Sequence, residues 1–211
     1  MGRPSKALLS RAVIARAALE VVDATGADGL TMRALADRLG VKAASLYNHV
    51  AGKDELLDDL AELVNAEIDL APLDDPDWRA GLDRYARGYR AVFLRHPHTI
   101  ALLARRRVEA DRQLRTYDAL LAALTRAGLA PADAAEAAAA LDYLVLGSAL
   151  ETFAAGFTRP AADYGPRYPA LAGALTASAE RGADLDGRGF DLALRLLLDG
   201  LATRIPGSGR A

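Results

Sequence analysis

Lys42, Ala43, Ala44, Tyr47 and Asn48 fall in one short stretch, spaced so that they lie along the outward side of a helix. A cation, a phenol and a carboxamide beside two small side chains suit the edges of a DNA duplex. This is the arrangement of a recognition helix in a major groove. The elements that must position these residues are legible around them. Two short helices cross steeply only if the contact residue is small and the turn residue tolerates positive φ. Ala36 supplies the first and Gly40 the second. Leu35, Leu39, Val41 and Leu46 are spaced to fill the space between the helices. An ordinary αα-hairpin would show the same pattern, and charge distinguishes the two. Residues 1–53 hold eight basic side chains (Arg3, Lys6, Arg11, Arg16, Arg33, Arg38, Lys42, Lys53) and four acidic ones (Glu20, Asp23, Asp28, Asp37), a net +4. The remainder of the chain is −6, so a basic front on an acidic body marks a surface for a polyanion.

The chain has 211 residues, of which 52% are hydrophobic and 26% charged, enough to bury a core. It is rich in alanine and has only 7 Tyr, 4 Phe and 1 Trp, a composition that favours helices over sheet. Cysteine is absent, which excludes disulfides and thiolate metal or redox sites. The N-terminus is polar and no long apolar run follows it. The most apolar stretch, 141–155, contains Asp142 and Glu151 and is too short to span a bilayer. A soluble cytoplasmic protein without a membrane partner is expected.

Apolar periodicity, punctuated by Gly and Pro, predicts an all-α chain of about nine to ten helices. They fall at 10–25, 32–39, 43–50, 53–70, 78–94, 97–104, 109–127, 131–155, 170–180 and 186–204, with a loop at 159–169. The expected organisation is a three-helix helix-turn-helix domain over 1–53, a connecting helix and linker over 54–75, and a helical bundle over 76–211. Tyr85, Tyr89, Phe93, Tyr117, Tyr143 and Phe153 read as inward aromatics of that bundle. They are either plain core or the lining of a pocket with hydroxyl handles. The helices at 131–155 and 192–201 are apolar over more than one stripe. Two such helices from each of two subunits would make a four-helix bundle. The arginines at 105–107 read as a solvated turn.

Residues 7–60 are similar to the tetracycline-repressor (TetR) family. The resemblance rests on Leu39-Gly40-Val41, then Leu46-Tyr47-Asn48-His49-Val50, then Gly52-Lys53-Asp54-Glu55-Leu56-Leu57. It implies a homodimeric transcriptional regulator, usually a repressor. The N-terminal domain would bind half of a palindromic operator, and the C-terminal domain would bind a small inducer and dimerise. Position by position, it implies that Ala43, Ala44, Tyr47 and Asn48 face the groove, and that Tyr47, His49 and Lys53 meet phosphates. Thr31 and Arg33 would meet the backbone at the start of the preceding helix. Lys53 suits its role, because charge and exposed N–H groups at a helix start attract a phosphate together. Gly2-Arg3-Pro4 resembles a basic arm whose Arg3 would probe the adjacent minor groove, the alternative being a plain tail. Two alanines read little beyond thymine methyls. Specificity is therefore expected from Lys42, Ser45, Tyr47, Asn48 and DNA shape.

Trp78-Arg79, Phe93-Leu94-Arg95-His96-Pro97 and Leu146-Gly147-Ser148-Ala149-Leu150-Glu151 also resemble the C-terminal domain of the tetracycline-repressor subgroup. In that subgroup a drug–magnesium chelate is held partly by a histidine on the short helix after the first long one. Leu102 aligns there, and Glu151 matches an acidic position near the site. The expectation is a more apolar effector with no metal and no cofactor, contacted by Tyr85, Tyr89, Phe93, Leu102, Tyr117, Tyr143, Leu146 and Glu151. His96 and His98 do not share a helix face, so they read as surface or hinge residues rather than ligands. Two other classes compete: a DNA-binding regulator controlled by a protein partner, and a small helical enzyme. The enzyme fails on inventory, with no Cys, 3 His and no Gly-rich loop between strand and helix.

Overall fold

A computed structural model describes residues 9–103, 108 and 111–205, and its regular elements are helical throughout. Arg3, Lys6 and the arginines at 105–107 lie outside the described residues. Two compact units form, one from 1–70 with 92–119 and the other from 71–91 with 120–211. The units therefore do not follow chain order.

In the first unit, α1 (Arg11–Thr25) starts where Ser10 Oγ accepts from Val13 N–H at 3.3 Å, and stops at Gly26 with φ 78°. Its buried residues are Ile14, Ala15, Ala17, Ala18, Leu19, Val21 and Val22. Helix α2 (Met32–Leu39) is capped by Thr31, whose Oγ1 accepts from Ala34 N–H at 3.1 Å. Gly40 ends it in the left-handed region (φ 64°), and Val41 N–H reaches back to Ala36 O at 3.0 Å. Helix α3 covers only Ala43–Leu46, half the expected 43–50. Beyond Leu46 the chain tightens into a turn, with His49 N–H and Val50 N–H both donating to Leu46 O. Asn48 and His49 are modest helix formers, and Gly52 follows closely. Helix α4 (Lys53–Ala66) stops short of Leu70, because Glu67 and Ile68 N–H donate three residues back. The end of α5 (Trp78–Arg95), helix α6 (Pro97–Leu103) and the start of α7 (Asp111–Arg126) complete the unit. Helix α6 packs on α1 and α4, with Thr99 and Ile100 buried.

In the second unit, Leu82, Tyr85, Ala86 and Tyr89 of α5 and Leu120 and Leu124 of α7 are buried. So are Leu141 and Val145 of α8 (Pro131–Ala149) and Phe190, Leu194 and Leu198 of α12 (Leu185–Arg204). Helices α8 and α12 pair directly. The expected helix at 131–155 is interrupted. Glu151 takes φ 48°, and a separate turn of helix, α9 (Thr152–Ala155), follows. A bond network explains the break: Ser148 Oγ donates to Val145 O, and Arg90 reaches Ser148 Oγ and O. By length and composition Pro131–Ala155 is long and apolar enough to cross a membrane, contrary to the estimate made from 141–155 alone. Only 29% of its most apolar window is buried, so much of that apolar surface is uncovered in a single chain. The expected loop at 159–169 contains one helical turn, α10 (Ala161–Tyr164), before α11 (Pro169–Glu180).

Candidate DNA interface and effector site

The first unit presents the residues singled out for DNA as an outward row. Lys42 opens α3, and Ala44, Tyr47, Asn48 and His49 are exposed, with Tyr47 53% accessible. Ala43 and Ser45 are half-buried. Leu46 (0%) and Val50 (1%) are the anchors beneath, and Val50 was missing from the core expected from sequence. Leu35 is fully buried, whereas Leu39 and Val41 are half-buried. Thr31 and Arg33 are exposed at the start of α2. The Thr31 oxygen already accepts a backbone bond, which leaves its hydroxyl proton to donate to an approaching phosphate. Lys53 is exposed at the first position of α4. Arg3 lies outside the described residues.

Of the two expected places for His96, surface or hinge, the surface one does not hold. Its side chain is 13% exposed, with Nδ1 2.8 Å from Asp23 Oδ2 on α1 and Nε2 3.2 Å from Glu67 Oε1 after α4. Burial alone would raise the Glu67 carboxyl. Hydrogen bonds and charge from Arg95 and His96 outweigh that and hold it below its ordinary pKa. Only long-range packing reveals this cluster, and nothing in the local spacing of His96-Pro97-His98 could have found it.

The expected effector contacts divide between the units. In the second unit, Tyr85 (1%) and Tyr89 (8%) are buried on α5 with ring centroids 5.8 Å apart, and the Tyr89 hydroxyl donates to Asp142 at 2.7 Å. Leu146 is half-buried. Tyr143 (76% exposed) and Phe153 (62%) correct the expectation that they point inward. The inward face of α8 is Leu141, Val145 and Ala149, spaced by four, and Tyr143 projects from the other side. Glu151 is exposed and faces the Arg90 guanidinium at 3.4 Å. Arg90 also stacks 4.9 Å from the Phe190 ring centroid. In the first unit, Phe93 is buried, while Leu102 and Tyr117 are half-buried. Sequence reasoning missed a cavity of about 380 Å³ in the second unit, lined by Leu73, Trp78, Leu82, Leu124 and Arg126 among others.

Glu151 faces Arg90, and among the described residues no three His, Cys, Asp or Glu side chains gather in a group that could hold a metal ion.

The paired α8 and α12 leave apolar side chains outside the unit's own core. Tyr143, Leu192 (50%) and Leu196 (61%) are exposed, beside an open groove lined by Ala137, Ala140, Leu196 and Leu197.

Comparison with known proteins extends over both halves of the chain. Residues 14–60 match the family model of bacterial regulatory proteins, tetR family, and residues 71–205 match that of the tetracyclin repressor-like C-terminal domain. The chain is 38% identical over 197 residues to the class A tetracycline repressor protein from transposon 1721 of Escherichia coli, covering 90% of this chain and 89% of that protein. A possible TetR family regulator from Streptomyces coelicolor A3(2) superposes with a TM-score of 0.78 at 32% identity, covering 92% of this chain and 99% of that one. ActR from Streptomyces coelicolor, solved in complex with actinorhodin, gives 0.76 at 27% identity over 96% and 100%. The exposed row on a helix-turn-helix and the match running on through the second half have one reading: the chain belongs to the TetR family and is a ligand-responsive, DNA-binding transcriptional regulator.

Proposed function

We propose that the protein is a cytoplasmic repressor that binds a palindromic operator as a homodimer. A small apolar or aromatic effector, held without a metal ion, would release it. The observation that carries the DNA part is the exposed row Lys42, Ala44, Tyr47, Asn48, His49 and Lys53 above buried Leu46 and Val50. The uncovered apolar face of α8 and α12 supports a dimer built from four helices. The aromatic effector is supported by the adjacent rings of Tyr85 and Tyr89 and by the relative solved with actinorhodin. A metal-free site is supported by Leu102 and by the engagement of Glu151 with Arg90.

A duplex selected from a random pool, labelled and followed by anisotropy, tests the whole reading. Affinity should fall ~10³-fold or more between about 50 and 200 mM salt, as several phosphate contacts per half-site require. Protection should cover two half-sites about one helical turn, or a multiple of it, apart. Release by an aromatic effector should persist in the presence of a magnesium chelator. A footprint of one asymmetric half-site would overturn the dimer, and loss of release on chelation would overturn the metal-free site.

A further inference from the structure

The turn carrying Tyr47, Asn48 and His49 ends at Gly52, and Lys53 opens α4 with Asp54 and Glu55 directly behind it. Asp58 and Asp59 follow one turn later. Carboxylates so close to a lysine that meets phosphate would repel the duplex that the lysine attracts. Two of them are managed by one cation from another helix. Arg11, the first residue of α1, donates through Nε to both Asp59 oxygens at 2.9 and 2.8 Å, and through Nη1 to Glu55 Oε1. The second Glu55 oxygen accepts from the N–H of Ala51, inside the turn. Gly52 has no side chain with which to cap α4. From the third helical position Glu55 reaches back past Gly52 to the N–H of Ala51, one residue ahead of the N–H that the acid of a capping box takes.

We infer that Arg11 and Glu55 are positioning residues for operator binding. Glu55 fixes the turn that presents Tyr47 to Lys53. Arg11 cancels the charge that Glu55 and Asp59 would otherwise show to the phosphate at Lys53. Neither needs to touch DNA. As a contribution to stability the pair is small, since the Arg11 side chain is 50% exposed and that of Glu55 32%. Its importance lies in binding, because Glu55 is two residues from Lys53 and well inside a Debye length of ~10 Å. The Asp59 hydrogen bond raises the pKa of Arg11 further above its already high value, so the cation is permanent.

This inference rests on the DNA reading, and the full-length wild-type protein bound to its selected duplex is the control for that reading. Arg11→Gln should weaken operator binding, and by a larger factor at about 50 mM than at about 200 mM salt, because salt screens the carboxylate charge that the substitution uncovers. Glu55→Gln keeps an oxygen for Ala51 N–H and removes a charge, so it should bind as well as wild type or better. Glu55→Ala removes the same charge and also the bond to Ala51 N–H, so it should bind more weakly than Glu55→Gln, by the same factor at every salt concentration. The decisive variant is the double, Arg11→Gln with Glu55→Gln, which should recover most of the affinity that Arg11→Gln loses. Failure of the double to recover would mean that Arg11 meets a phosphate itself, and would overturn the inference. A salt-independent loss in Arg11→Gln with an unchanged melting curve would overturn it as well. Failure of wild type to bind any duplex would overturn the DNA reading instead.

Discussion

The turn around residues 42–53 and the aromatic set between residues 85 and 153 are both built from rings and polar groups at helical spacing, yet they behave differently. In the first, anchors and outward residues alternate within a dozen positions. Once Leu46 and Val50 are buried, Tyr47, Asn48 and His49 must face out. In the second, orientation depends on which side of α8 meets the rest of its unit. That helix is apolar nearly all round, so periodicity assigns no inward face, and Tyr143 emerges opposite the buried Leu141 and Val145. A motif that contains its own anchors can be oriented from sequence. A residue on a uniformly apolar helix cannot.

The contrast can be broken or sharpened by substitution. Leu46→Ala should have the largest effect, ~2–5 kcal/mol of stability, because the side chain is fully buried beneath the reading surface. Chemical denaturation measures it, and operator binding should fail with it. A loss below about 1 kcal/mol would deny Leu46 its anchoring role. Next come the outward residues, whose removal should spare stability. Asn48→Ala should cost ~1–3 kcal/mol of binding at one base position and relax preference there. Lys53→Ala should weaken binding to all sequences alike and reduce the salt exponent by about one. A uniform loss from both would withdraw base reading from Asn48. Smallest is Tyr89→Phe, which removes the hydroxyl from Asp142 at a cost of ~1 kcal/mol in thermal or urea unfolding. Operator affinity without effector should stay unchanged, and a change there would show that this bond belongs to the switch rather than to the fold of its unit.

What was legible in the sequence follows the range of the interactions involved. Caps are local, and the helix limits expected at 25 and at 32–39 agree with the ends that Gly26, Thr31 and Gly40 form. The break in α8 was not legible, because its cause, Arg90 at Ser148, lies 58 residues away in the chain. The same holds for the helices at 92–119, which pack with the N-terminal unit although they follow the linker in order. Of the two sets of candidate residues, the DNA-facing one could be placed from a twelve-residue window. The effector-facing one needs helix partners that no window contains.

The ring of His96 meets an acid on either side, and a second oxygen of Asp23 is buried beside it with no hydrogen-bond partner. In mechanical terms the ring is a pivot pin. It fastens the tail of α1 and the tail of α4 to the corner between α5 and α6, at the end of each helix remote from Arg11 and Glu55. Because one ring joins both tails, a displacement of that corner would act on α1 and α4 together.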